Sequence, residues 1–220
     1  MDDIKILKGN IIYTKTKDEF EICEHGYLVC KDGKVEGIYQ TLPFRLGGEP
    51  IEDHGDCLII PGMTDLHIHA PQYTFRGTGM DLELLEWLET NTFPEEAKYK
   101  DVLYANEKFA KNLKHSSTPR ACVFGTIHRR PTLVLMDHLE RSGLVTMVGK
   151  VNMDRNSPDG LREGTQESAE ETVEWMKDVQ HKKYKNTLPI LTPRFIPSCT
   201  DELLDMLKMV QMRYQIPVQS

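Results

Sequence analysis

No stretch of the 220-residue chain reaches the roughly 18 apolar residues that a membrane-spanning helix needs. The opening Met1-Asp2-Asp3-Ile4-Lys5 has no basic segment followed by an apolar one, so no secretory leader is expected. Basic runs are also missing beyond short pairs such as Arg129-Arg130, and 27 Lys+Arg against 34 Asp+Glu give a net charge of −7. Such a chain is poorly suited to phosphate backbones, so neither nucleic acid nor a membrane is an expected partner. Cysteine is sparse and unpaired. Cys23, Cys30, Cys57, Cys122 and Cys199 form no C-x-x-C pair, which excludes a thiolate metal knuckle and suits reduced thiols in a cytoplasmic protein. The hydrophobic share, 39%, is enough to bury a core.

Up to about Cys57 the text consists of short apolar runs at 4–7, 11–13, 27–30 and 35–39, separated by turn residues. That is a strand pattern. The last two runs flank Lys31-Asp32-Gly33-Lys34, and Asp-Gly favours a two-residue turn with both central φ angles positive, so a tight hairpin is expected there. Residues 1–57 therefore read as a small antiparallel β-domain. From residue 58 the rhythm becomes α/β. Strands are expected at 58–69, 121–128, 144–154, 188–195 and 216–220, with helices between them, notably at 165–183 and from Thr200 onward. Alternation of this kind implies a parallel sheet. A closed (β/α)8 barrel takes roughly 200 to 250 residues, and residues 58–220 are fewer. The expectation is the first half of a barrel, with the β-domain incomplete.

Leu66-His67-Ile68-His69 ends the first strand of this series. Histidines two apart on a strand share a face and can approach one ion, and barrel active sites gather at the carboxyl ends of strands. His67 and His69 are thus candidate metal ligands. Trp87 with Leu84, Leu85 and Leu88 reads as core, and His128 is expected to end the second strand on the same face as the histidine pair.

Ile60-Pro61-Gly62 followed by Asp65-Leu66-His67-Ile68-His69 resembles the opening of the amidohydrolase superfamily, metal-dependent hydrolases built on a barrel. His69-Ala70-Pro71-Gln72-Tyr73, Phe93-Pro94, Thr126-Ile127-His128, Gly149 to Asp154 and Thr192-Pro193-Arg194-Phe195 narrow the resemblance to the guanine deaminases within it. What the resemblance implies is zinc-dependent conversion of guanine to xanthine and ammonia, by an intact enzyme that is a homodimer. It implies further that His67 and His69 hold Zn2+ and that Gln72, Arg194 and Phe195 contact guanine. Taken without it, Gln72 also reads as a loop residue, Arg194 as the partner of a structural carboxylate, and Phe195 as core.

The remaining ligands that the resemblance implies, two histidines and an aspartate, and a glutamate proton shuttle, belong to later strands. None is matched here, so no catalytic acid or base is assigned to this chain. Before the second strand, His115-Ser116-Ser117-Thr118-Pro119-Arg120 lacks the glycine expected to end a helix. The other zinc deaminase plan, with His-x-Glu and Pro-Cys-x-x-Cys, is absent; only Pro197-Ser198-Cys199 comes near it. Two alternatives stand beside the leading reading: a related amidohydrolase for another aminated heterocycle, and a non-catalytic piece that needs a complementary chain.

Overall fold

The computed structural model of the protein describes residues 3–98 and 103–220. The chain divides into two compact units, Met1–Gly62 and Met63–Ser220.

In the first unit β1 (Ile4–Thr16), β2 (Glu19–Lys31), β3 (Lys34–Tyr39) and β4 (Ile51–Ile59) form one sheet in the order β3-β2-β1-β4. The hairpin between β2 and β3 turns at Asp32 (φ 50°) and Gly33 (φ 75°), the left-handed pair that Asp-Gly was expected to supply. β1 to β3 are antiparallel, whereas β4 lies parallel to β1, so the sheet is mixed. Ile6, Val29 and Leu46 close its small core. The single strand expected over 58–69 is two strands. Leu58 and Ile59 pair with Asn10 and Ile11 at the end of β4, and a new strand begins at Thr64. Pro61, which has no N–H to give a ladder, stands at the break.

The second unit carries a parallel sheet ordered β5 (Thr64–His69), β6 (Arg120–Phe124), β7 (Val145–Gly149), β9 (Thr187–Pro189). β8 (Val151–Asn152) and β10 (Thr192–Pro193) prolong β7 and β9 past a break: Thr146 faces Thr187 and Val151 faces Thr192 at the same offset. Gly149 sits at that break because a Cβ there would stand 1.7 Å from Thr192 Oγ1. Val218 bridges Leu191 in parallel, so the segment expected as a fifth strand joins the same edge. The helices follow in alternation: α1 (Leu84–Trp87), α2 (Phe93–Glu96), α3 (Leu103–Lys114), α4 (Arg129–Ser142), α5 (Thr165–Lys182) and α6 (Asp201–Tyr214). This is the α/β order of the opening strands of a (β/α)8 barrel.

The helices are held by ordinary means. Thr200 Oγ1 caps α6 by accepting from Leu203 N, and Asp201 and Glu202 lie in the first turn, where the helix dipole favours acid. Trp175 of α5, Leu135, Met136 and Leu139 of α4, and Leu203 and Leu207 of α6 pack on Val123 and Val148 of the sheet. α3 ends without a left-handed residue: Ser116 Oγ donates to Leu113 O and accepts from Thr118 N, doing with a side chain what the expected glycine does with its backbone. Trp87 and its leucines are not a core. Leu84 and Leu85 are 66% and 70% exposed, and the Trp87 indole N–H donates to Thr78 O.

Candidate functional site

β5 is not a regular strand where it matters. Asp65 faces Ala121 and Ile68 faces Val123, so one extra residue is inserted at Leu66-His67. This β-bulge corrects the expectation of an undistorted His-x-His, and bulges are a usual device for re-aiming a side chain beside a site. The Asp65 carboxylate accepts from His67 N at 2.9 Å and stabilises the distortion. The result is convergence: His67 Nε2 and His69 Nε2 lie 3.0 Å apart, and both rings rest on Phe124 at centroid distances of 4.5 and 4.4 Å.

Burial, followed by the charges of Arg194 and His67, pushes His69 down to about 3. Its imidazole is therefore neutral at physiological pH, which is the ligating state. Two imidazole nitrogens on one zinc at a tetrahedral angle lie about 3.3 Å apart, given Zn–N near 2.0–2.1 Å. The observed 3.0 Å fits two ligands of one ion. They are two only: among the described residues no group of three His, Cys, Asp or Glu side chains is arranged to hold a metal.

A second cluster forms beyond the histidines. Gln72, in the turn Ala70–Thr74 directly after β5, donates from Nε2 to Glu96 Oε1 at 2.9 Å. Arg194, directly after β10, donates from Nη2 to the same oxygen at 3.2 Å and from Nη1 to Glu96 Oε2. The pair is buried, with the Arg194 and Glu96 side chains 10% and 4% exposed. Arg194 also lies 5.3 Å from the Phe93 ring centroid, so α2 meets it with both an aromatic face and a carboxylate. Phe93 and Ala97 in turn pack on Phe124, Ile127, Val151, Met153 and Leu161, which docks α2 at the carboxyl ends of β6 and β8. Arg194 and Glu96 line a small cavity there with Pro71, Thr126, His128 and Met153.

The structure thus brings Gln72 and Arg194 together and links Arg194 electrostatically to His69. The carboxylate partner raised as an alternative for Arg194 is present, and it is Glu96. Phe195 does not join the cluster; it is 59% exposed. His128 is not on the second strand, which stops at Phe124. It precedes α4, its carbonyl accepting from Thr132 Oγ1 at 2.9 Å. Sequence reasoning missed Asp65 and Glu96. The only signal for Glu96 is its place in Phe93-Pro94-Glu95-Glu96, where two acids are adjacent.

Next to β8 lies a buried polar network. Lys150 Nζ donates to Glu163 Oε1 at 2.7 Å, Ser168 Oγ donates to Glu163 Oε2 at 2.7 Å, and Asn152 Nδ2 donates to Ser168 Oγ and Thr172 Oγ1 at 2.9 and 2.8 Å. It ties β8, the strand that pairs with β10, to α5. Burial pushes Lys150 down and Glu163 up, while each partner's charge works the other way.

These arrangements agree with what the chain is similar to. It is 42% identical to a guanine deaminase of Dictyostelium discoideum over 99% of this chain and 53% of that protein. It is 34% identical to a guanine deaminase of Escherichia coli over 96% of this chain and 51% of that one. The structure of a guanine deaminase from C. acetobutylicum with bound guanine in its active site superposes with a TM-score of 0.90 at 45% identity, covering 99% of this chain and 52% of that one. The chain spans about half the length of the curated relatives it matches. Residues 58–220, more than half of the chain, match the model of the amidohydrolase family, and with the bulged His-x-His at the end of the first barrel strand this chain belongs to that family.

Proposed function

We infer that this chain provides the opening half of a zinc-dependent guanine deaminase site, which converts guanine to xanthine and ammonia in purine catabolism. The observation that carries the reading is the juxtaposition at one end of one sheet: two convergent imidazoles, one of them held neutral, beside a half-buried amide and a buried guanidinium. His67 and His69 would hold the ion through Nε2. Bound zinc supplies water activated near neutral pH, the nucleophile needed to replace an amino group.

The other residues grip the base. Gln72 turns its carbonyl oxygen toward N–H donors of the guanine amidine edge, and Arg194 offers N–H donors to the ring's oxo and imidazole acceptors. Phe195, exposed beside Arg194, offers a ring on which a planar base can stack. For both Nε2 atoms to offer lone pairs to a cation, each neutral ring would carry its proton on Nδ1.

The test is metal analysis together with ammonia release from guanine, on the intact enzyme in which this chain is joined by the remaining ligands and on its His67→Ala variant. The wild-type enzyme is expected to hold zinc and release ammonia, and the variant to lose both. Zinc content unchanged in His67→Ala, or a zinc-loaded wild-type enzyme that leaves guanine intact, would refute the reading.

A further inference from the structure

We propose that Glu96 is the positioning residue of the substrate grip: it sets which way the Gln72 amide faces and which N–H groups Arg194 presents, and so selects a purine that carries an oxo group beside an amidine N–H. The inference rests on the guanine reading above and deepens it. A carboxylate only accepts hydrogen bonds, so the Gln72 amide must turn its nitrogen to Glu96 and its carbonyl oxygen away. Left to itself an amide is symmetric enough to offer either end. The same Glu96 Oε1 takes Arg194 Nη2, and Oε2 takes Nη1, which fixes the guanidinium plane and reserves its remaining N–H groups.

One buried acid therefore imposes an acceptor at position 72 and donors at position 194. Guanine matches that pattern, with N–H donors on its amidine edge and an oxo acceptor next to it. 2-Aminopurine keeps the amino group to be removed but lacks the oxo group, so it leaves the guanidinium donors without a partner. A site built around such donors rejects a ligand that lacks the acceptor. Glu96 is suited to this by its surroundings. Its side chain is 4% exposed, α2 is docked by Phe93 and Ala97, and the neighbouring Glu95 turns instead to Lys98 at the surface.

The experiment measures guanine and 2-aminopurine deamination, zinc content and thermal midpoint for the intact enzyme that contains this chain, as wild type, Glu96→Gln and Glu96→Asp. In Glu96→Gln the new amide can donate, Gln72 is free to flip, and Arg194 loses its charged partner. The expected result is retained zinc, a rise in KM for guanine of roughly tenfold or more, and a guanine preference that shrinks by a similar factor. Glu96→Asp keeps the charge but shortens the reach, and is expected to restore part of the preference. If Glu96→Gln does not fold, Glu96→Asp decides alone, through a raised guanine KM with zinc unchanged. Variants that are folded and zinc-loaded, with wild-type KM and wild-type preference, overturn the inference while leaving the activity standing. A wild-type enzyme inactive on guanine overturns both.

Discussion

Lys150→Met tests whether the buried network beside β8 is organised by charge. Lys150 is fully buried and its ammonium is held by Glu163 Oε1 at 2.7 Å and Val151 O at 3.2 Å, with the Glu163 side chain only 9% exposed. Methionine keeps most of the unbranched stem but removes the cation, which leaves Glu163 with only the neutral donors Ser168 Oγ and the Met153 backbone. Removing one partner of a buried pair costs about 3–5 kcal/mol, because the survivor is a desolvated charge. For a protein of this size that is a fall of about 6 to 20 °C in thermal midpoint.

The pH dependence follows from the direction of the Glu163 shift. Burial holds its carboxyl above the ordinary glutamate value, and without Lys150 nothing of comparable strength opposes that. A group whose pKa is raised in the folded state favours folding below its unfolded value and loses that contribution as pH rises through the folded one. The deficit of Lys150→Met should therefore be large at pH 8 and shrink toward pH 5 as Glu163 takes up a proton. Lys150→Met/Glu163→Gln, which buries no charge and keeps an acceptor for Ser168, should recover most of the loss. Melts followed by circular dichroism at both pH values check this. A single variant within about 2 °C of wild type, or a double variant as unstable as the single, would refute the reasoning.

Two further outcomes are expected. Glu140 accepts from Lys185, Asn186 and Thr187 backbone N–H groups at 2.8, 3.0 and 2.9 Å, and these bonds outweigh burial to hold its carboxyl below the usual range. Its stabilisation is thus present above the unfolded value near 4.3 and lost as pH falls through the folded one, so Glu140→Gln should cost about 1–3 kcal/mol at pH 7 and progressively less below pH 4, read by denaturant unfolding at each pH. Arg194→Lys keeps a charge for Glu96 but loses the planar fork, so zinc content should stay at the wild-type level while kcat/KM for guanine falls by about tenfold or more in steady-state assays; unchanged kinetics would remove Arg194 from the substrate grip.

Most of the architecture was legible because its signals are local. Asp32-Gly33 specifies a turn through φ alone, and the order of apolar runs and acidic-start helices fixes a parallel sheet before any contact is known. The boundary between β4 and β5 was not legible. Four residues separate Leu58-Ile59 from the strand that follows, and only pairing with Asn10 and Ile11 assigns these two residues to the other sheet. The bulge at Leu66-His67 is of the same kind, since it exists only relative to Ala121 and Val123 on the partner strand.

The site divides along a similar line. His67, His69, Gln72 and Arg194 all lie at or just past strand ends, where the barrel rule looks for functional side chains; position singled out the two histidines, whereas Gln72 and Arg194 became candidates through the resemblance. Phe195 shows how far that rule reaches. Its neighbour Arg194 turns inward to Glu96, and successive side chains of an extended segment alternate, so the next residue faces out and is 59% exposed. Glu96 lay outside the rule altogether. It sits on a short helix between strands, beside an acid of the same type, and nothing in Pro94-Glu95-Glu96 distinguishes the residue that pairs with Lys98 in solvent from the one that enters the protein to meet Arg194. Burial separates them, and burial here is set by Phe93 and Ala97 docking on residues contributed by β6, β8 and the loops that follow. A cation at position 194 that is 10% exposed requires a counter-charge within reach, so the acid could have been demanded from the arginine even though it could not have been named.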